Sequence, residues 1–219
     1  MWWKILTFIA MCWVIVAAFS YPAPQQQIGE ASRIFYFHVP QAWVSVLAFL
    51  TSMIYSIKYL YKGNLVDDDR ARAAGELGLV FCILATITGS IFAKITWHSY
   101  WNWDPRETSI FILLLIYGAY FGLRSAIEDP ERKAKLAAVY AIFAFITVPF
   151  LVFIVPRVMP SLHPSDTIID ESSKEGLSMT TRMIFYPALA SFSVLFFWMM
   201  DLARKVHTRE RQTQEDSLS

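Results

Sequence analysis

Leu136 to Pro156 reads LAAVYAIFAFITVPFLVFIVP, with no charged side chain in the run. A helix needs about 20 mostly apolar residues to cross roughly 30 Å of hydrocarbon, so this stretch is long enough to span a membrane. Lys133 and Lys135 precede it and Arg157 follows it, which places its ends among polar groups. Further stretches meet the same criterion at about 2–20, 40–61, 74–96, 106–127 and 181–203. The 219 residues are 56% hydrophobic and 16% aromatic, too apolar for an ordinary soluble domain. The expectation is an all-α integral membrane protein, one six-span domain over residues 1–219. Its polar connections fall at 21–39, 62–73, 97–105, 128–135 and 156–180, with a charged tail over 204–219.

Lysine and arginine placement sets the orientation, because short connections rich in them stay on the cytoplasmic side. One side carries Lys4, Lys62, Arg70, Arg72, Arg124, Arg132, Lys133, Lys135, Arg204, Lys205, Arg209 and Arg211. The other carries only Arg33, Arg157 and Lys174 in its connections, with Lys94, Arg106 and Arg182 at helix edges. Both termini are therefore expected in the cytoplasm, with the connections that hold His38, Trp97–Pro105 and His163 facing outward. Ala18-Phe19-Ser20 resembles a signal-peptidase site, but Lys4 is the only charge ahead of the run and the first span is read as retained. Cleavage there would not change the side on which the later connections lie.

The total charge, 19 basic against 18 acidic residues, creates no field that would draw in nucleic acid. Cys12 and Cys82 both sit in apolar stretches, which excludes a disulfide framework, a zinc knuckle and Cys-x-x-Cys redox chemistry.

The segment most informative about function is Trp97-His98-Ser99-Tyr100-Trp101-Asn102-Trp103-Asp104-Pro105-Arg106-Glu107-Thr108. An interfacial aromatic belt accounts for one or two of its rings. It does not account for their concentration in one outward connection while the other outward connections lack tryptophan. Asp104, Pro105 and Glu107 fit N-cap, N1 and N3 of a capping box, so Asp104 is expected to start the fourth span.

The chain has four histidines, His38, His98, His163 and His207, none of them inside a span as drawn. That argues against a cytochrome b type bundle, in which the ligands sit on facing helices within the membrane. His38 precedes Pro40 at the start of the second span, and His163 lies among Pro156, Pro160 and Pro164, so restricted backbone anchors each near a helix end. A lone loop histidine is more often a polar interface residue than a ligand. Two flanking an aromatic loop on one side could supply two axial nitrogens to one iron, with indoles against a macrocycle. Arg106, Arg33 and Arg157 are candidate partners for propionates, and equally candidate snorkelling anchors. No Cys-x-x-Cys-His is present, so haem would not be attached to this chain through that motif.

At these residues the sequence resembles the WWD-domain family of haem-handling membrane proteins, and within it the branch serving system I cytochrome c maturation. The six-span layout, Phe37-His38-Val39-Pro40, Trp97 to Asp104 and a histidine in the last outward connection carry the resemblance. It implies non-covalent haem b at the outer face of the bacterial inner membrane. His38 and His163 would be axial ligands to the haem iron, and Trp97, Tyr100, Trp101, Trp103 and Asp104 would cradle the ring. It also implies delivery to a periplasmic haem chaperone. Further implied partners are an ABC transporter of membrane and ATPase subunits, a small single-span accessory protein and membrane lipid.

Two positions depart from the family pattern: His98 stands where glycine is usual, and Tyr100 where tryptophan is frequent. His98 is therefore a rival ligand or a propionate contact. The Trp-Asp-Pro wording is also similar to the system II haem synthetase component, a larger protein. The expectation is a haem-binding and delivery component without a classical active site, and any assistance to covalent haem attachment on a partner would come from positioning rather than acid–base groups. A haem transporter acting alone is disfavoured, because Glu76, Asp201 and Lys94 lie near span ends rather than at mid-membrane. A scaffold whose aromatic loop merely anchors it remains the bland alternative.

Overall fold

The computed structural model describes residues 2–25, 28–163 and 177–218, with backbone alone at 214, 215, 217 and 218. Among the described residues the regular structure is helical throughout: α1 Trp2–Ser20, a 3-10 turn Gly29–Ile34, α2 Phe35–Lys62, α3 Leu65–Trp97, α4 Pro105–Ala126, α5 Pro130–Pro149, a π-helical segment Phe150–Ile154, α6 Val155–Val158 and α7 Met179–Leu218. Six of the helical stretches are long and apolar enough to cross a membrane. Large apolar side chains such as Phe8, Ile95, Phe143 and Ile146 stand exposed on their outer surfaces, as acyl-chain contact requires.

The helices run further than the apolar runs alone indicated. The connection expected over 62–73 is a two-residue turn: Gly63 ends α2 at φ 67°, and Asn64 caps α3 by accepting from the Val66 amide at 2.9 Å. The charges that follow are partnered both within α3, Arg70 with Asp67 and Arg72 with Glu76, and across the bundle. Arg124 forms a bidentate pair with Asp68 at 2.7 and 2.8 Å, Arg211 reaches Asp69 at 3.0 Å, and His207 meets Glu76 at 2.7 Å. Both members of the Arg124–Asp68 pair are buried, so removing one would leave an uncompensated charge at a cost of about 3–5 kcal/mol. The tail likewise continues α7, 40 residues and about 60 Å long at 1.5 Å per residue, beyond the roughly 30 Å of a bilayer core. Lys174 and Pro164 lie outside the described residues.

Between the second and third spans small residues bring the backbones together. Gly78 is the tightest point: a Cβ there would stand 2.5 Å from the Phe49 ring, which stacks on Tyr117 with centroids 3.5 Å apart. Close helix contact through small side chains is the usual association mode where lipid supplies no hydrophobic drive. α1 packs on α7, with Val14, Ala17 and Ala18 against Ile184, Phe185 and Ala188, while Trp3 meets Trp198 at the other end. This antiparallel pairing puts both termini at one end of the bundle. The start of α2, the α3–α4 connection and the segment after α5 converge at the other.

Candidate functional site

α2 begins at Phe35, so His38 lies in its first turn and Pro40 inside the helix, not in a connection ahead of it. Continuation from the 3-10 turn at 29–34 carries the helix through Pro40, whose missing N–H forgoes the bond to the Tyr36 carbonyl. The gain is a stripe: Phe35, His38, Val39, Ala42, Trp43 and Val46 recur at helical spacing and line one cavity.

That cavity measures about 440 Å³, within the range of small-molecule and cofactor sites. α3 contributes Gly89, Phe92, Thr96 and Trp97, and the connection after it contributes Trp101. The segment after α5 contributes Leu151, Val152 and Phe153 in succession, which an α-helical face would not present together. Here Pro149 and Pro156, both without an N–H, flank a π-helical turn, a distortion frequent at functional sites. Trp43 and Phe153, both lining the cavity, meet with ring centroids 5.6 Å apart.

His163 enters the same cavity, and its placement depends on Asp104. The Asp104 carboxylate caps α4 by accepting from the Arg106 amide at 2.9 Å, and Glu107 accepts in return from the Asp104 amide at 3.4 Å. It also accepts from Ser161 Oγ at 2.9 Å, the Leu162 amide at 2.7 Å and His163 Nδ1 at 3.0 Å. Asp104 is only 4% exposed. Burial works against its charge, but the donors from Arg106, Leu162 and Ser161 and the nearby His163 together hold its carboxyl below the ordinary aspartate range. Burial lowers the His163 imidazole below the ordinary histidine value, with the Asp104 carboxylate opposing and the Arg106 guanidinium assisting. A neutral His163 that donates Nδ1–H to Asp104 keeps Nε2 as its lone-pair nitrogen, the arrangement typical of metal-bound histidine backed by carboxylate. The Trp97 ring packs edge-on to it at 4.7 Å.

His38 Nδ1 lies 3.0 Å from Thr88 Oγ1, and the ring also meets the Ala85 carbonyl of the same helix, so α3 holds it through both groups. The cavity thus brings together His38, His163, Trp97, Trp101, Arg106 and Arg157. It does not bring in Tyr100 and Trp103, which are 60% and 67% exposed, and Asp104 supports the site from behind. Arg33 is committed elsewhere: it pairs with Glu30 and donates to the Ala18 and Tyr21 carbonyls, tying the end of α1 to the 3-10 turn. His98 is exposed at the C-cap of α3, with φ 62° and its carbonyl accepting from Lys94. His207 belongs to the ionic cluster at the opposite end.

Trp43, Thr88, Gly89 and Phe153 were not singled out from sequence. The small and polar run Thr86 to Ser90 near the end of an apolar span is the signal that would have pointed to two of them.

Fold and cavity together define a polytopic helical membrane protein with a ligand-sized site at the end of its bundle opposite the termini. The chain belongs to the Heme exporter protein C (CcmC) family, whose profile matches residues 1–217. It is 36% identical over 201 residues to a Heme exporter protein C of Bradyrhizobium diazoefficiens, covering 88% of this chain and 74% of that protein. A Heme exporter protein C of Paracoccus denitrificans is 28% identical, over 93% and 84% of the two chains. A Marchantia polymorpha protein named putative cytochrome c biosynthesis ccmC-like mitochondrial protein is 30% identical, over 86% and 80%.

Proposed function

We propose that this chain binds haem b non-covalently in the cavity between His38 and His163 and delivers it to a periplasmic haem chaperone for cytochrome c maturation. The carrying observation is the convergence of two imidazoles, each with Nδ1 engaged behind it, on one apolar aromatic cavity. The donor set fits the ligand: neutral imidazole nitrogens for iron, indole and phenyl faces for the macrocycle, and Arg106 and Arg157 for propionates. Trp101 Nε1 and Thr96 Oγ1 are buried beside the same cavity without a partner among the described residues, as groups awaiting a polar ligand would be. The lysine and arginine distribution favours the periplasmic side for this end of the bundle. By kinship, an ABC transporter of membrane and ATPase subunits and a small single-span protein are the assembly partners.

Purification from a haem-replete host, followed by optical spectroscopy and a pyridine haemochrome assay, tests the reading. Haem b with a six-coordinate low-spin spectrum is expected. His38→Ala and His163→Ala should each lower occupancy or shift it toward five-coordinate haem, with partial recovery on adding imidazole. Wild-type protein without a Soret band, or variants spectrally identical to wild type, would overturn it.

A further inference from the structure

His38 is held by a different kind of group from the one that holds His163. Its Nδ1 faces Thr88 Oγ1 at 3.0 Å, from the neighbouring α3. A threonine hydroxyl has one hydrogen, and Thr88 directs its own back along α3 to the Leu84 carbonyl at 2.8 Å, with the Ala85 carbonyl at 3.2 Å. Only its lone pairs then remain for His38, beside the Ala85 carbonyl, a second acceptor that the same ring meets. The contact is satisfied when the imidazole carries its proton on Nδ1 and donates it, which leaves Nε2 unprotonated. The next residue makes room: a Cβ on Gly89 would stand 2.9 Å from His38 Cε1, closer than such atoms approach without displacement.

We infer that Thr88 is a positioning residue for His38, selecting the tautomer that leaves Nε2 as a ligand, and that Gly89 clears the space in which the ring is held. This rests on the haem reading above and adds a residue to it. A hydrogen bond from a ligating imidazole to a group behind it fixes ring orientation and raises ligand basicity, and losing such a bond typically costs about 10–100-fold in metal affinity.

The test titrates ferric protoporphyrin IX into detergent-purified wild type, Thr88→Val, Thr88→Ser, Gly89→Ala and His38→Ala. Each is followed by absorption, electron paramagnetic resonance and haem midpoint potential, with thermal unfolding of the haem-free protein as a folding control. Thr88→Val keeps the shape of threonine and removes the acceptor. It should bind haem about tenfold or more weakly, with part of the haem high-spin and a higher potential. Thr88→Ser should restore the wild-type spectrum and potential, which a role in packing alone would not predict. Gly89→Ala should reproduce the high-spin fraction by displacing the ring. Thr88→Val indistinguishable from wild type, alongside a defective His38→Ala, would overturn the role of Thr88 and leave the haem reading standing. His38→Ala with wild-type affinity and spectrum would remove both. If Thr88→Val unfolds, the decision falls to Thr88→Ser and Gly89→Ala: a Gly89→Ala spectrum like wild type would then overturn the proposal.

Discussion

Asp104 Oδ1 lies 3.0 Å from His163 Nδ1, so the residue that caps α4 also orients the histidine of a segment 59 positions later. Its carboxylate meets N–H and O–H donors from Arg106, Ser161, Leu162 and His163, and an amide in its place would turn an NH2 toward one or more of them. Asp104→Asn should therefore destabilise the protein by about 1–3 kcal/mol, the cost of leaving a buried donor unmet. It should also weaken His163 ligation more than a substitution of equal thermal cost elsewhere. Thermal unfolding and haem titration on the same preparation check both. A variant with wild-type haem affinity would show that the clasp does not orient the ligand.

The same pair sets a pH dependence with two separate limbs. His163 is held below its ordinary value of 6.5, chiefly by burial, so the unfolded chain takes up its proton first as pH falls. Stability should therefore decline as pH drops below about 6.5, through the window down to the depressed folded value. Asp104 is also held below its ordinary value of 3.8, so its contribution is present above that pH and is lost only as pH falls further, through the folded value. Thermal midpoints of haem-free protein between pH 7.5 and 4.5 should fall in wild type, and fall less in His163→Asn. Equal slopes would contradict this assignment.

His98 occupies a left-handed backbone position, φ 62°, where a side chain costs about 1–2 kcal/mol that glycine avoids, offset by glycine's entropy of about 0.5–1 kcal/mol. His98→Gly should raise stability by about 0.5–1 kcal/mol or leave it unchanged, with the low-spin spectrum intact. Disappearance of that spectrum would make His98 a ligand after all.

Trp101 lines the cavity whereas Trp103 packs outside it, edge-on to Trp101 and Phe111. Trp101→Ala should weaken haem retention by an order of magnitude or more, consistent with several kcal/mol for a large buried aromatic. Trp103→Ala should cost far less, and neither should change the ligand set. Haem off-rates to apomyoglobin measure the contrast, and the reverse order would relocate the ring.

Orientation is open to direct labelling. In a background with Cys12 and Cys82 replaced by serine, a cysteine at the exposed position 100 should react with an impermeant maleimide in cells with a permeabilised outer membrane. A cysteine at exposed position 132 should not react until the inner membrane is opened. Labelling of 132 from outside would invert the topology.

The six apolar helices and the capping box at Asp104 were legible in sequence, because each rests on neighbours along the chain. A run such as Leu136–Pro156 must cross or be buried, and Asp-Pro-x-Glu begins a helix wherever it stands. The grouping of His38, Trp97–Pro105 and His163 at one end also followed, since the parity of spans assigns sides. Only the tertiary structure decided where α2 and α3 begin. The cost of burying the charges of Asp68 and Asp69 there is offset by Arg124 and Arg211, which are distant in sequence. Only the tertiary structure, too, separated Trp101 from Trp103 and Arg106 from Arg33, and placed Thr88 behind His38 and Asp104 behind His163. Tautomer, clearance and ring contact depend on atoms a few ångströms apart in space and up to 59 residues apart in the chain, which no local pattern records.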